Sequence, residues 1–139
     1  MNLMEILWCL SGQIEDGYLI ADSSEKIKIR GSKSQGTGIW KCVPITSSTG
    51  VVVSIQIQEK LEEIKPSICV GRVTQITRRN TILVKVSPSR KIYFHTSSQF
   101  TLNEVYQLEF EFRHLQLHIV NATNWTLDKK EVFAYVLRE

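Results

Sequence analysis

A chain of 139 residues, 42% apolar and 22% charged, suits one compact unit or two very small barrels sharing a core, and excludes a disordered or collagen-like chain. No apolar run approaches the ~18 residues of a membrane-spanning helix, and the opening MNLMEILWCLSG lacks the basic start and length of a secretory signal, so a cytoplasmic protein is expected. The net charge of +3 says little by itself about partners.

In chain order, alternation of apolar and polar residues predicts strands over 5–14, 18–21, 26–30, 39–45 and 51–58. Turn residues separate them: Asp16-Gly17, Asp22-Ser23-Ser24, and the run 47–50. Trp8 and Trp40 sit in apolar strands and are expected in the core. Gly36-Thr37-Gly38 lacks the GK[ST] of a phosphate-binding loop and reads as a flexible connection. The charged run 59–66, EKLEEIKP, fits a linker over 59–67, with a single helical turn ended by Pro66.

A second set of strands is predicted over 69–76, 81–86, 92–95, 106–112 and 115–122, punctuated by Arg79-Asn80 and Ser87-Pro88-Ser89. Cys9, Cys42 and Cys69 are far apart, form no CxxC pair, and are expected to be small buried hydrophobes rather than metal ligands. His114 and His118, four apart on a strand, would stand ~13 Å from each other, too far to share a metal; they are expected to face solvent, with Leu115, Leu117 and Ile119 inward. Glu109 and Glu111 alternate with Phe110 and Phe112, as on an exposed sheet edge. The sequons Asn121-Ala122-Thr123 and Asn124-Trp125-Thr126 are short enough to recur by chance. From 128 to 139 the period changes: Asp128 with Glu131 has capping-box spacing, and Val132/Val136 and Phe133/Leu137 recur four apart, predicting a short terminal helix beside Trp125.

The two sets resemble each other. Gly12-Gln13-Ile14 lies over Gly71-Arg72-Val73, Tyr18-Leu19-Ile20 over Ile82-Leu83-Val84, and Lys26-Ile27-Lys28-Ile29 over Lys91-Ile92-Tyr93-Phe94. The expected division is therefore an N-terminal half over 1–58 and a second half over 68–139.

Charge is segregated along the chain. Between 64 and 100 stand seven basic residues (Lys65, Arg72, Arg78, Arg79, Lys85, Arg90 and Lys91) and no acid, while Lys26, Lys28, Arg30 and Lys33 group in the corresponding part of the first half. Such segregation is what a polyanion-binding surface requires, because each phosphate neutralised releases counterions and adds affinity. Within KIYFHTSS, residues 91–98, alternation places Ile92 and Phe94 on one face and Tyr93 and His95 on the other, so that an aromatic ring and an imidazole leave the core together.

The stretch 69–123 resembles a cold-shock domain, a five-stranded barrel of the OB type that binds single-stranded RNA or DNA. Gly71-Arg72-Val73 is similar to that family's opening strand. Lys91-Ile92-Tyr93-Phe94-His95 is similar to its second ribonucleoprotein motif, and 100–112 follows its loop and fourth strand. The resemblance implies that Tyr93 and His95 stack on bases. Two departures go with it: Arg78 to Val84 replaces the family's first motif without an aromatic, and Thr96 stands where the second motif ends in one.

Together these readings predict a mainly β protein of one or two OB-like small barrels with a short C-terminal helix, which binds single-stranded nucleic acid, RNA before DNA, and is no enzyme. Tyr93 and His95 would stack on bases while Arg72, Arg78, Arg79, Lys85, Arg90 and Lys91, with Lys26, Lys28 and Arg30, follow the backbone; no cofactor, metal or membrane partner is implied. The alternative is a structural subunit docking through protein contacts in a larger ribonucleoprotein, for example a bacterial RNA-guided defence complex.

Overall fold

The computed structural model describes residues 8–31, 34–87 and 90–124. Ten strands account for most of them: β1 (Trp8–Glu15), β2 (Tyr18–Ala21), β3 (Lys26–Lys28), β4 (Gly36–Thr46), β5 (Val52–Leu61), β6 (Ser67–Ile76), β7 (Thr81–Ser87), β8 (Arg90–His95), β9 (Val105–Arg113) and β10 (Gln116–Asn124). Each predicted strand is present. The alternation behind them is visible in the burial, with Trp8, Leu10 and Ile14 of β1 buried and Gln13 and Glu15 exposed.

Among the described residues there is no helix, and none long and apolar enough to cross a membrane. The expected helical turn at 59–66 is replaced by a continuation of β5 to Leu61 and an irregular run to Pro66, because residues 59–61 pair with Ile39, Trp40 and Lys41 and the ladder takes up their backbone groups. The expected C-terminal helix and Trp125 lie outside the described residues, as do Lys33 and residues 5–7 of the first predicted strand.

The strands form two five-stranded arrangements of the same order. The first is an open sheet, β3-β2-β1-β4-β5, whose outer members meet at a single parallel bridge between Ile29 and Ile55. The second is a closed barrel, β10-β8-β7-β6-β9, sealed by antiparallel β9–β10 pairing and a parallel contact of β8 with β10 at His95 and His118. In each, the first strand is flanked by the second and the fourth, and the third lies parallel to the fifth.

The repeat extends to local details. Gly12 of β1 pairs with Gly38, and Gly71 of β6 with Tyr106. Four residues beyond those partners both ladders slip: Gln58 is the extra residue between Ile57 and Glu59, and Val120 the extra residue between Ile119 and Asn121. The register also corrects the sequence overlay. Leu19 pairs with Ile14 as Val84 pairs with Val73, so Leu19 corresponds to Val84 rather than to Leu83.

One apolar core runs through both arrangements. Trp8, Leu10, Leu19, Trp40 and Ile55 of the sheet join Val73, Ile82, Val84, Phe94, Leu108 and Phe110 of the barrel in a single cluster. Trp8 carries the junction: its indole meets Phe110 and Phe112 edge-on, at ring-centroid distances of 6.4 and 5.5 Å. Beside it the Cys9 N–H donates to Ser67 Oγ at 3.0 Å, tying β1 to β6. Cys42 and Cys69 are buried and Cys9 half-buried, all three as free thiols. Burial pushes the Cys42 and Cys69 thiols up to about 12, with Cys9 adding to the effect on Cys42.

Three local expectations are corrected here. Gly36-Thr37-Gly38 is the opening of β4 rather than a loop, its backbone paired with Ile14, Gln13 and Gly12. Glu109 and Glu111 lie on an interior strand, since β9 pairs with both β6 and β10; Glu111 forms an ion pair with Arg113 at 3.2 Å. Leu115 belongs to the β9–β10 turn at positive φ and is exposed, while His118 is half-buried.

Candidate nucleic-acid interface

Residues directly opposite in an antiparallel ladder share a face, so the barrel register fixes what its outer surface presents. Ile92 and Phe94 are buried inside, which turns Tyr93 and His95 outward, as the alternation requires. Arg72, Lys85 and Lys91 then form one row across β6, β7 and β8, Leu83 and Tyr93 the next, and Thr81 and His95 the one after.

That surface is not left open. The turn between β4 and β5, residues 47–51, lies across the Leu83–Tyr93 row, and the Tyr93 N–H donates to Gly50 O at 3.0 Å. Gly50 has φ +93°, and a Cβ there would stand 2.7 Å from Leu83 Cδ1 and 3.2 Å from Tyr93 Cδ2. Only glycine fits so close an approach in that backbone conformation. Tyr93 is half-buried as a result.

His95 is half-buried as well, for a different reason: its ring stacks on His118 across the parallel junction, with centroids 5.2 Å apart and planes tilted by 30°. His118 Nε2 is buried and has no hydrogen-bond partner among the described residues. Burial chiefly, then the nearby Arg113 and His95, lowers the His118 pKa below its ordinary 6.5, against a smaller opposing effect of a backbone hydrogen bond at Arg113.

On the far side of the Gly50 contact a cleft of about 390 Å³ opens between the two arrangements. The barrel supplies Tyr93, His95 and Thr81, with Gln116 and Leu117 from β10; the β4–β5 turn and the start of β5 supply Val51 and Val52. Thr77 and Arg79 of the β6–β7 turn complete the lining with Leu115, and among the described residues no carboxylate belongs to it. The turn that carries Arg79 is ordered locally. Thr77 and Thr81 are hydroxyl partners, the Arg79 N–H donates to Thr77 Oγ1 at 3.3 Å, and Asn80 takes the positive φ of 58° that closes it.

The expected site residues therefore divide. Tyr93, His95 and Arg79 come together in the cleft, and Arg78 stands exposed beside Arg79. Lys91 is exposed and Arg72 half-exposed in the row beyond Gly50, where Arg72 Nη1 donates to Asn103 Oδ1 at 3.1 Å; Arg90, half-buried, opens β8. Lys85 departs from expectation: it lies between Arg72 and Lys91 with only 6% of its surface exposed, so it is not open to a phosphate. Lys26, Lys28 and Arg30 are exposed on the other arrangement, with Lys26 Nζ 4.3 Å from the centre of the Tyr18 ring. By register Lys26, Lys28 and Arg30 are the counterparts of Lys91, Tyr93 and His95.

Sequence reasoning missed Val51, Val52, Thr77, Thr81 and Gln116. The one signal for the valines is an exposed apolar run directly after a turn glycine, Val51 and Val53 each keeping about half of their surface. Among the described residues no group of three or more metal-ligating side chains converges. No protein-family model, no curated protein and no solved structure matches this chain.

Proposed function

We propose that the protein binds single-stranded nucleic acid without chemical turnover, RNA in preference to DNA, through the outer face of β7 and β8. The observation that carries this reading is the cleft in which Tyr93 and His95 meet Arg79, with no carboxylate among the described residues of the lining. An aromatic wall offers a π-face that any base can stack on, and a guanidinium beside it answers the phosphate. The strand order supports the same reading. A closed five-stranded barrel, with its first strand between the second and fourth and its third parallel to its fifth, is the arrangement expected of an OB-like barrel. Proteins of that kind bind oligonucleotides on the face of their second and third strands, here β7 and β8. A relationship to cold-shock domains fits this order, and the preference for RNA rests on it.

The test is a salt titration of binding to single-stranded RNA, single-stranded DNA and duplex. On single strands each phosphate contact contributes about 0.7 to the slope of log K against log salt. Replacing both Arg78 and Arg79 by Glu is expected to weaken binding to all sequences alike and to flatten the slope by at least ~1.4. Lys85→Gln, at a buried position, is expected to leave the slope unchanged. A slope that Arg78 and Arg79 do not influence refutes the assignment of this face.

A further inference from the structure

An open OB face binds a strand by stacking successive bases on neighbouring rings. Here that is obstructed on both sides of Tyr93. Gly50 occupies the Leu83–Tyr93 row, and the neighbouring ring, His95, already stacks on His118 at 5.2 Å. What remains is the space lined by Tyr93 of the barrel and by Val51 and Val52 of the first arrangement. Its 390 Å³ lies at the small end of ligand sites, roughly 300–1,000 Å³.

Resting on the function proposed above, we infer that the cleft is a slot for one unpaired nucleobase, held against Tyr93 by Val51 and Val52 while Arg79 at the same site meets the adjoining phosphate. The walls are apolar, as a heterocycle's faces require, and apart from Arg79 and His95 the polar groups of the described lining are neutral: the Gln116 amide both donates and accepts, and the Thr77–Thr81 hydroxyl pair keeps lone pairs free to accept, so together they suit the edge of any base. The strand is gripped at a single nucleotide, and the slot exists only because the first arrangement lends its turn to the second. Gly50 sets its width, since a side chain there would push the turn off Leu83 and Tyr93.

The experiment measures binding of the full chain to three fluorescent strands of equal length: oligouridine, the same strand abasic at every position, and the abasic strand with one central uracil restored. The single uracil is expected to recover nearly all the affinity that separates the fully abasic strand from oligouridine, a factor of about 5 to 150 for one stacked base. A single uracil that recovers only a small share of that difference overturns the slot and leaves strand binding standing. Failure of all three strands to bind overturns the underlying function as well.

Gly50→Ala is expected to abolish the gain from the single uracil. Val51→Ser, at a half-exposed position that the fold tolerates, is expected to reduce the same gain without altering the melting temperature. Retention of the full uracil gain in a folded Val51→Ser protein overturns the inference.

Discussion

Gly12 and Gly71 occupy the same place in the two arrangements, and the geometry assigns both the same task of letting the first strand pass close to the second. A Cβ on Gly12 would run into Ile20 O and stand 2.8 Å from Ala21 Cα and 2.9 Å from Ile20 C. Carbon atoms rest ~3.5 Å or more apart, so β1 and β2 must separate by at least ~0.7 Å, and backbone offers no rotamer through which to yield. The hydrogen bonds around the Gly12–Ala21 pair stretch in consequence. Losing one or two of them, at about 1 kcal/mol each, on top of overpacking of roughly 1–3 kcal/mol, outweighs the ~0.4–1 kcal/mol that alanine gains by stiffening the unfolded chain. Gly12→Ala is thus expected to destabilise the protein by about 1–4.5 kcal/mol. Gly71→Ala, where the Cβ would collide with Val84 Cγ1 and stand 2.7 Å from Lys85 O, is expected to fall in the same range. Gly38→Ala is the internal control: its Cβ would meet only the Lys60 side chain, 2.6 Å from Cε, and that exposed lysine can swing aside. Its expected change is within about 0.5 kcal/mol, the loss of Lys60 from its place 5.6 Å from the Trp40 ring centre offsetting the entropic gain. Urea melts followed by tryptophan fluorescence read the result as a lower midpoint with the slope preserved. Gly12→Ala as stable as Gly38→Ala refutes the close-packing account.

The remaining expectations concern groups whose protons the fold controls. With the Cys42 and Cys69 thiols pushed up to about 12, an aromatic disulfide reagent near neutral pH is expected to label Cys9 alone in the folded protein and all three cysteines in denaturant; rapid reaction of a second thiol without unfolding contradicts their burial. Because the fold lowers the His118 pKa, the unfolded chain binds a proton first as pH falls. Its contribution to stability is therefore complete above about 6.5, the ordinary imidazole value, and is lost progressively below it. Urea melts at about pH 7.5 and about pH 5.5 are expected to show this loss, and His118→Gln to reduce it; an identical pH dependence in the two proteins assigns the effect elsewhere.

The strands were legible because their pattern is local. A residue such as Phe94 declares its inward direction through its neighbours Tyr93 and His95, whatever lies across the sheet. The ordered turns were legible for the same reason, Asp16-Gly17 and Asn80 supplying positive φ at the places their residue types favour. What the sequence concealed was set by non-local partners. Gly36-Thr37-Gly38 looks like a loop by composition and becomes strand because β1 offers it a ladder. Lys85 looks like a solvent-facing cation and is enclosed because Arg72 and Lys91 flank it on a crowded face. The run 59–61 looks like part of a linker and stays extended because β4 is long enough to pair with it. The candidate site shows the same division. Its two rings could be read from alternation, whereas the wall facing them comes from a turn some 40 positions earlier in the chain, and only the bare run Val51-Val52-Val53 hinted that something would cover it.

The seal of the barrel has a kinetic consequence. β6 must wait for β9, and β8 for β10, so the ring cannot be completed by any contact between adjacent hairpins; its final seam forms only after a loop of more than twenty residues has been drawn shut. Parallel seams of this kind repay their entropic cost late. Until then β8 and β10 expose unpaired edges, and the protein's greatest vulnerability to self-association falls in the interval before β10 arrives.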